Sequence, residues 1–208
     1  MKQPVEHLVL MGVAGCGKTT AAINLHNALG RPVAEADDFH PEANIAKMSR
    51  GAPLTDADRR PWLESLRAWM SEQADRGTRT IVTCSALKRS YRDLLVGAHG
   101  RVLFIHLVAD EEALRERMEH REGHFMPSAL LPSQFADLEP LVDDEDGVTV
   151  TSRPTPEQTL EAILAALETA DAAGNATTAG NATTAGNATT STAASAAAST
   201  AASASAGL

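Results

Sequence analysis

No stretch of this 208-residue sequence approaches the roughly 20 consecutive apolar residues that cross a bilayer. Clusters of basic residues are missing too. Lys and Arg number 18 against 27 Asp and Glu, for a formal net charge of −9. Such a surface repels phosphate backbones and anionic lipid, so neither nucleic acid nor a membrane is expected as the main partner. Cysteine is limited to Cys16 and Cys84, which form no C-x-x-C pair. A disulfide framework is therefore not expected, and a reducing, cytoplasmic setting fits. Aromatic residues make up only 3% of the chain, so Leu, Val, Ile and Ala must supply the core. The N-terminal apolar run, Leu8 to Val13, is too short for a signal peptide and leads straight into glycines.

Charge itself disappears near the end of the chain. No residue from Ala172 onward is charged, and a six-residue unit, AGNATT, repeats from Ala173 to Thr190. Few large side chains remain there to offset the entropy of ordering. Alanine favours helix, whereas Gly, Thr and Ser oppose it. The expected organisation is one domain over residues 1–171 and a low-complexity tail over 172–208, disordered or weakly ordered. Asn175, Asn181 and Asn187 each begin an N-x-T sequon, but the repeat alone accounts for them.

Before the tail, short apolar runs alternate with helical patterns. Expected strands are HLVLMGV, PVAEAD (Pro32 to Asp37), TRTIVTCSAL (Thr78 to Leu87), RVLFIHLVA (Arg101 to Ala109) and GVTVTS (Gly147 to Ser152). Helices are expected over Lys18 to about Leu29, Pro41 to Arg50, Thr55 to Arg76, in EEALRERMEHRE after Asp110, and in TPEQTLEAILAAL. Thr55 with Asp58, and Thr155 with Gln158, have the spacing of capping boxes. This alternation implies an α/β domain with a mostly parallel five-stranded sheet between two helical layers.

The sharpest motif is GVAGCGKT, which follows the first strand and opens a helix. It has the form G-x-x-x-x-G-K-[ST], a phosphate-binding loop. Gly12, Val13, Ala14, Gly15, Cys16 and Gly17 would wrap backbone N–H groups around nucleotide phosphates, helped by the helix N-terminus. Lys18 would bring a full cation to the β- and γ-phosphates, and Thr19 a hydroxyl ligand for Mg²⁺. A plain strand-to-helix turn would not require Lys and Thr at those offsets. Cys16 sits at a variable position of the motif.

A phosphate loop identifies the donor and leaves the acceptor open. Asp37, Asp38 and His40 lie just past the carboxyl end of the second strand, where open parallel sheets bind ligands. Asp37 is placed to accept a hydroxyl proton during phosphoryl transfer. Asp38 reads as a helix cap before Pro41. His40 either binds substrate or fixes the turn. Trp62 and Trp69, with Leu66 between them, read as a core stripe.

Several ordered motifs then resemble the small P-loop gluconokinases: GVAGCGKT, ADDFHPEANIAKM, G-x-PLTDADRRPWL, CSALKRSYRDLL, REGHFMP and QFADLEP. The resemblance covers Leu8 to about Leu167 and departs at Glu35, where an Asp is expected. It implies a three-layer P-loop NTPase-type fold with a lid, like that of nucleoside monophosphate kinases. It also implies ATP as donor, Mg²⁺ as cofactor, D-gluconate as acceptor, 6-phosphogluconate as product, and a homodimer. Gluconate is an anionic polyol, and Arg59, Lys88 and Arg92 could meet its carboxylate. Lys88 and Arg92, four apart, are expected to point together. Arg117 and Arg121 fit a lid that stabilises charge on the transferring phosphoryl group, with Arg121 beside the Gly123 break. Lys18, Asp37 and Arg121 are thus the expected catalytic residues. Asp37, His40, Arg59, Lys88 and Arg92 are expected on the acceptor side. Two alternatives remain: a kinase of another small acceptor such as shikimate or adenylylsulfate, and a nucleotide-dependent regulatory module.

Overall fold

The computed structural model describes residues 3–110, Leu114 and residues 131–184, with side chains described through Ala170. Its elements run β1 (Val5–Met11), α1 (Lys18–Leu29), β2 (Val33–Glu35), a 3₁₀ turn (Ala36–Phe39), α2 (Glu42–Ser49), α3 (Asp56–Asp75), β3 (Thr80–Thr83), α4 (Arg89–Val96), β4 (Arg101–Val108), α5 (Leu131–Asp137), β5 (Gly147–Thr151) and α6 (Pro156–Thr184). The strands form one sheet in the order β2-β3-β1-β4-β5, and every pairing is parallel. The expected α/β sheet is thus present. Parallel strands need crossover connections, and here these place helices on both faces.

Alternation along each strand divides the core in two. Leu8, Leu10, Ile81, Leu103, Ile105 and Leu107 point to the face covered by α1 and α6, where they meet Ala21, Leu25 and Ile163. Val9, Met11, Val82, Val102 and Phe104 point the other way, onto Trp62, Leu63, Leu66 and Met70 of α3 and Leu95 of α4. Trp62 therefore belongs to the core as expected, and Trp69 packs partly buried against it. His7 interrupts the apolar run of β1 yet is fully buried. Its two ring nitrogens pair with Thr80 Oγ1 at 2.8 Å and His99 O at 3.0 Å, so its polarity is satisfied.

The capping expectation for α3 holds. Thr55 Oγ1 accepts from Asp58 N–H, while the Asp58 carboxylate accepts from Thr55 N–H at 2.7 Å. At α6, Thr155 Oγ1 accepts from Gln158 N–H at 3.3 Å. The sequence reading needs one revision here. The last helix does not end with the Leu-rich segment but runs to Thr184, into the low-complexity stretch. Extending an existing helix adds one hydrogen bond per residue fixed, and the alanines oppose this least. The helix expected after Asp110, with Arg117, Arg121 and REGHFMP, lies outside the described residues apart from Leu114. No helix among the described residues is long and apolar enough to cross a membrane.

Candidate active site

The carboxyl ends of β1, β2, β3 and β5 converge on a cavity of about 430 Å³. Its lining begins with Ala14, Gly15, Cys16, Gly17, Lys18 and Thr19, the loop that follows β1. Gly12 shapes this loop from beneath. Its φ is +132°, and a Cβ there would lie 2.6 Å from the Leu107 carbonyl oxygen, so only glycine fits. Gly12 N–H donates to Ser85 O at 3.2 Å, tying the loop to the end of β3. Gly17, with φ +100°, turns the chain into α1 and aims the helix N-terminus at the cavity. Lys18 Nζ donates to the carbonyls of Gly12 at 2.9 Å and Val13 at 3.0 Å. Gly12 and Val13 thus serve through their carbonyls and do not line the cavity themselves. Ser152 Oγ, just past β5, donates to Cys16 O at 2.8 Å.

The second wall comes from β2 and the 3₁₀ turn. Glu35 and Asp37 both line the cavity. Thr83 Oγ1 donates to Glu35 Oε2, which fixes that carboxylate against β3. Asp37 Oδ1 stands 3.9 Å from His40 Nε2. His40 is buried and stacks on Trp62 with ring centroids 4.1 Å apart and planes 20° apart. Trp62 Nε1 in turn donates to Ala36 O at 2.6 Å, locking the turn to α3. Burial, reinforced by the nearby Arg59 charge, pushes the His40 pKa down to about 4, so the ring is neutral near pH 7. His40 thus packs at the end of the turn and lines the cavity.

Arg59 reaches the same cavity from the first turns of α3. Its Nη1 donates to Tyr91 Oη at 2.8 Å and Asp137 Oδ2 at 3.1 Å. Behind it, Tyr91 Oη donates to Asp56, and Lys88 Nζ lies 2.9 Å from Asp56 Oδ1 and 3.5 Å from Asp137 Oδ1. The hydrogen bond that Lys88 donates to Asp56 holds its ammonium well above its ordinary pKa. Lys88 thus stands behind Arg59 in an ion cluster and not on the cavity wall.

Arg92 requires a correction. It was expected beside Lys88, facing the acceptor, but only 1% of its side chain is exposed. It donates to Leu87 O and Glu139 O at 3.0 Å each, to Ala86 O at 3.2 Å, and to Glu145 Oε2 at 2.9 Å. Helix α4 begins at Arg89, with Lys88 as its extended N-cap. The four-residue spacing therefore does not align the two cations, and Arg92 turns inward to hold the 139–145 loop.

Several contributors were not picked out from the sequence. Gln134 of α5 lines the cavity, and its Oε1 accepts from Ala14 N–H at 2.6 Å. Arg153, Pro154, Pro156 and Thr159 line the side beyond the phosphate loop. QFADLEP held the signal for Gln134 and Asp137, and the carboxyl end of β5 held it for Ser152 and Arg153. In both cases the partner lies far away in sequence. Among the described residues, no group of three or more His, Cys, Asp or Glu forms a ready-made metal cage.

These features have counterparts among known proteins. A model of the AAA domain family matches residues 8–141. A gluconokinase of Gluconobacter oxydans is 47% identical over 164 residues, covering 79% of this chain and 92% of the relative. Two solved structures share the fold at high identity. A sugar kinase from a Janibacter species has a TM-score of 0.75 and 52% identity, covering 79% of this chain and 95% of that one. A gluconokinase from Sinorhizobium meliloti has a TM-score of 0.70 and 41% identity, covering 81% and 94%. With its phosphate loop, its strand-end carboxylates and identity sustained over nearly the whole of these relatives, the chain belongs to the gluconokinase family.

Proposed function

We propose that this chain transfers the γ-phosphoryl group of ATP to the terminal hydroxyl of D-gluconate, giving 6-phospho-D-gluconate and ADP. The observation that carries the reading is that one cavity is lined by the phosphate loop, Asp37 and Arg59 together. The loop's N–H groups and Lys18 receive the β- and γ-phosphates. Asp37 takes the proton of the attacking hydroxyl as its oxygen bonds to the γ-phosphorus, and ADP leaves with the electron pair of the broken bond. Arg59 meets the gluconate carboxylate, with His40 and Trp62 forming the wall beside it. Lys88 supports Arg59 through Asp56 and Asp137. Arg117 and Arg121, outside the described residues, would add charge for the transferring phosphoryl group, as the family resemblance implies.

Mg²⁺ fits the donor chemistry at hand, a Thr19 hydroxyl with the Glu35 and Asp37 carboxylates lining the same cavity. Mg²⁺ prefers few protein oxygens together with phosphates and water, which suits a site without a cage. When bound, it neutralises charge on the phosphates. A cytoplasmic setting and a homodimer complete the proposal, the latter testable by sedimentation. A regulatory nucleotide switch is disfavoured, because β3 runs on into Cys84 and Ser85 and offers no metal-binding Asp.

The test is a phosphorylation screen over sugar acids and neutral polyols with ATP and Mg²⁺. D-Gluconate is expected to give the highest kcat/KM. ATP hydrolysis at one rate regardless of added sugar acid would overturn the proposal.

A further inference from the structure

The two halves of the cavity share one support. Helix α5 contributes Gln134 to the phosphate loop and Asp137 to Arg59. The two residues are three apart and so lie on neighbouring positions of one helical face. Leu131 is buried in the core and Phe135 packs against it, and these two seat the helix on the domain. Gln134 itself is only 8% exposed.

Each contact takes up a group that a substrate needs. Ala14 N–H belongs to the loop that cradles phosphate, and the Gln134 carboxamide oxygen occupies it at 2.6 Å. A phosphate oxygen reaching that N–H must displace the carboxamide. Arg59 is likewise balanced by Asp137 at 3.1 Å, with Asp56 at 3.7 Å. Arg59 and Lys88 against Asp56 and Asp137 sum to no net charge, so an approaching carboxylate meets a neutral cluster until a carboxylate withdraws.

We infer that Gln134 and Asp137 are positioning residues that couple donor and acceptor binding through α5. The inference rests on the acceptor reading given above. Displacement of Gln134 by the terminal phosphate carries Asp137 away from Arg59, because one helical turn joins them. Arg59 then presents an unbalanced positive charge to the sugar acid. By linkage, gluconate must strengthen nucleotide binding by the same factor. The coupling depends on the γ-phosphoryl position, so ADP transmits less of it than a triphosphate. It also favours the acceptor only when a phosphoryl group is available to transfer.

Calorimetric titration of D-gluconate into the full-length protein tests this, with Mg²⁺ throughout and with AMP-PNP, with ADP, or with neither nucleotide. The wild-type chain is expected to bind gluconate about tenfold more tightly with AMP-PNP than alone, and less than that with ADP. Asp137→Asn keeps an oxygen for Arg59 but removes the charge. It is expected to raise the affinity for gluconate without nucleotide and to bring the AMP-PNP ratio towards one. Gln134→Ala is expected to bring the AMP-PNP ratio towards one as well. The variants remove two separate contacts of the helix, so either alone decides the matter if the other melts abnormally. A wild-type ratio of one overturns the inference. So do variants that keep the wild-type ratio, or an Asp137→Asn that weakens gluconate equally in all three conditions, the mark of a purely structural role. Failure of gluconate to bind the wild-type chain at all would remove the acceptor reading itself, and the coupling with it.

Discussion

Asp37 and Arg92 show how differently two charged side chains can be read. Asp37 lines the cavity two residues past Glu35, at a strand end where a ligand must pass. Asp37→Asn is expected to lower kcat by ~10²–10⁴-fold while ATP still binds, as measured at saturating gluconate. If the rate barely falls, Glu35 becomes the candidate base. The phosphate loop and Asp37 were legible because short-range spacing fixes them: glycines, Lys and Thr at set offsets, then a carboxylate after a strand. Arg92 was not legible, because its role depends on Glu145 and on a loop about 50 residues away. Arg92→Leu is expected to cost about 3 kcal/mol in urea unfolding, since it leaves the buried Glu145 carboxylate with only the more distant Arg89, at 3.9 Å, as a cationic partner. The gluconate KM of the folded fraction should stay near normal. Arg59→Ala is expected to do the reverse. It should raise that KM by about one to two decades, the loss of a charged partner worth ~1.5–3 kcal/mol, with little change in the KM for ATP.

Among the elements, strands β1 and β4 each bury a histidine, and a third, His40, is buried at the C-cap of the 3₁₀ turn. Burial lowers the pKa of His7, His40 and His106 below the ordinary 6.5, with the Arg92 charge adding to the effect at His106. In the unfolded chain each takes up a proton near pH 6.5, whereas folded His40 does so only near pH 4. Between those values the unfolded state binds more protons, so stability is complete above about pH 6.5 and falls with acidification towards pH 4. His40 alone accounts for up to about 3 kcal/mol of that loss. Urea midpoints at pH 7, 5.5 and 4.5 check it: the wild-type midpoint should decline, and His40→Asn should decline less steeply. Equal slopes for the two proteins would remove His40 from the account. The elements themselves were largely legible, since buried parallel strands read as short apolar runs and α3 announced its own cap. Helix α5 was missed because its seven residues carry too little periodicity, and its identity comes from Leu131 and Phe135 meeting the core.

At the scale of the whole molecule, the proposed boundary at Asp171 is open to test. Among the described side chains of α6, Leu160, Ala162, Ile163, Leu164, Ala166, Leu167 and Ala170 pack on the core. Truncation after Asp171 is expected to leave kcat and both KM values within about twofold, and the melting temperature within a few degrees. A large loss of either would show that the repeat segment supports the domain. The sheet order also bears on biosynthesis. Strand β1, which launches the phosphate loop, lies in the middle of the sheet and pairs only with β3 and β4. At ~5–20 residues per second, a ribosome needs roughly 5–20 s to pass from Met11 to Arg101. For that interval the most apolar strand of the nascent chain has at most one neighbour, and such long-range pairings close slowly. The loop gains its shape only once Gly12 rests against Leu107 and Ser85. Nucleotide is therefore expected to bind only chains whose central sheet has closed, and not the emerging N-terminal half.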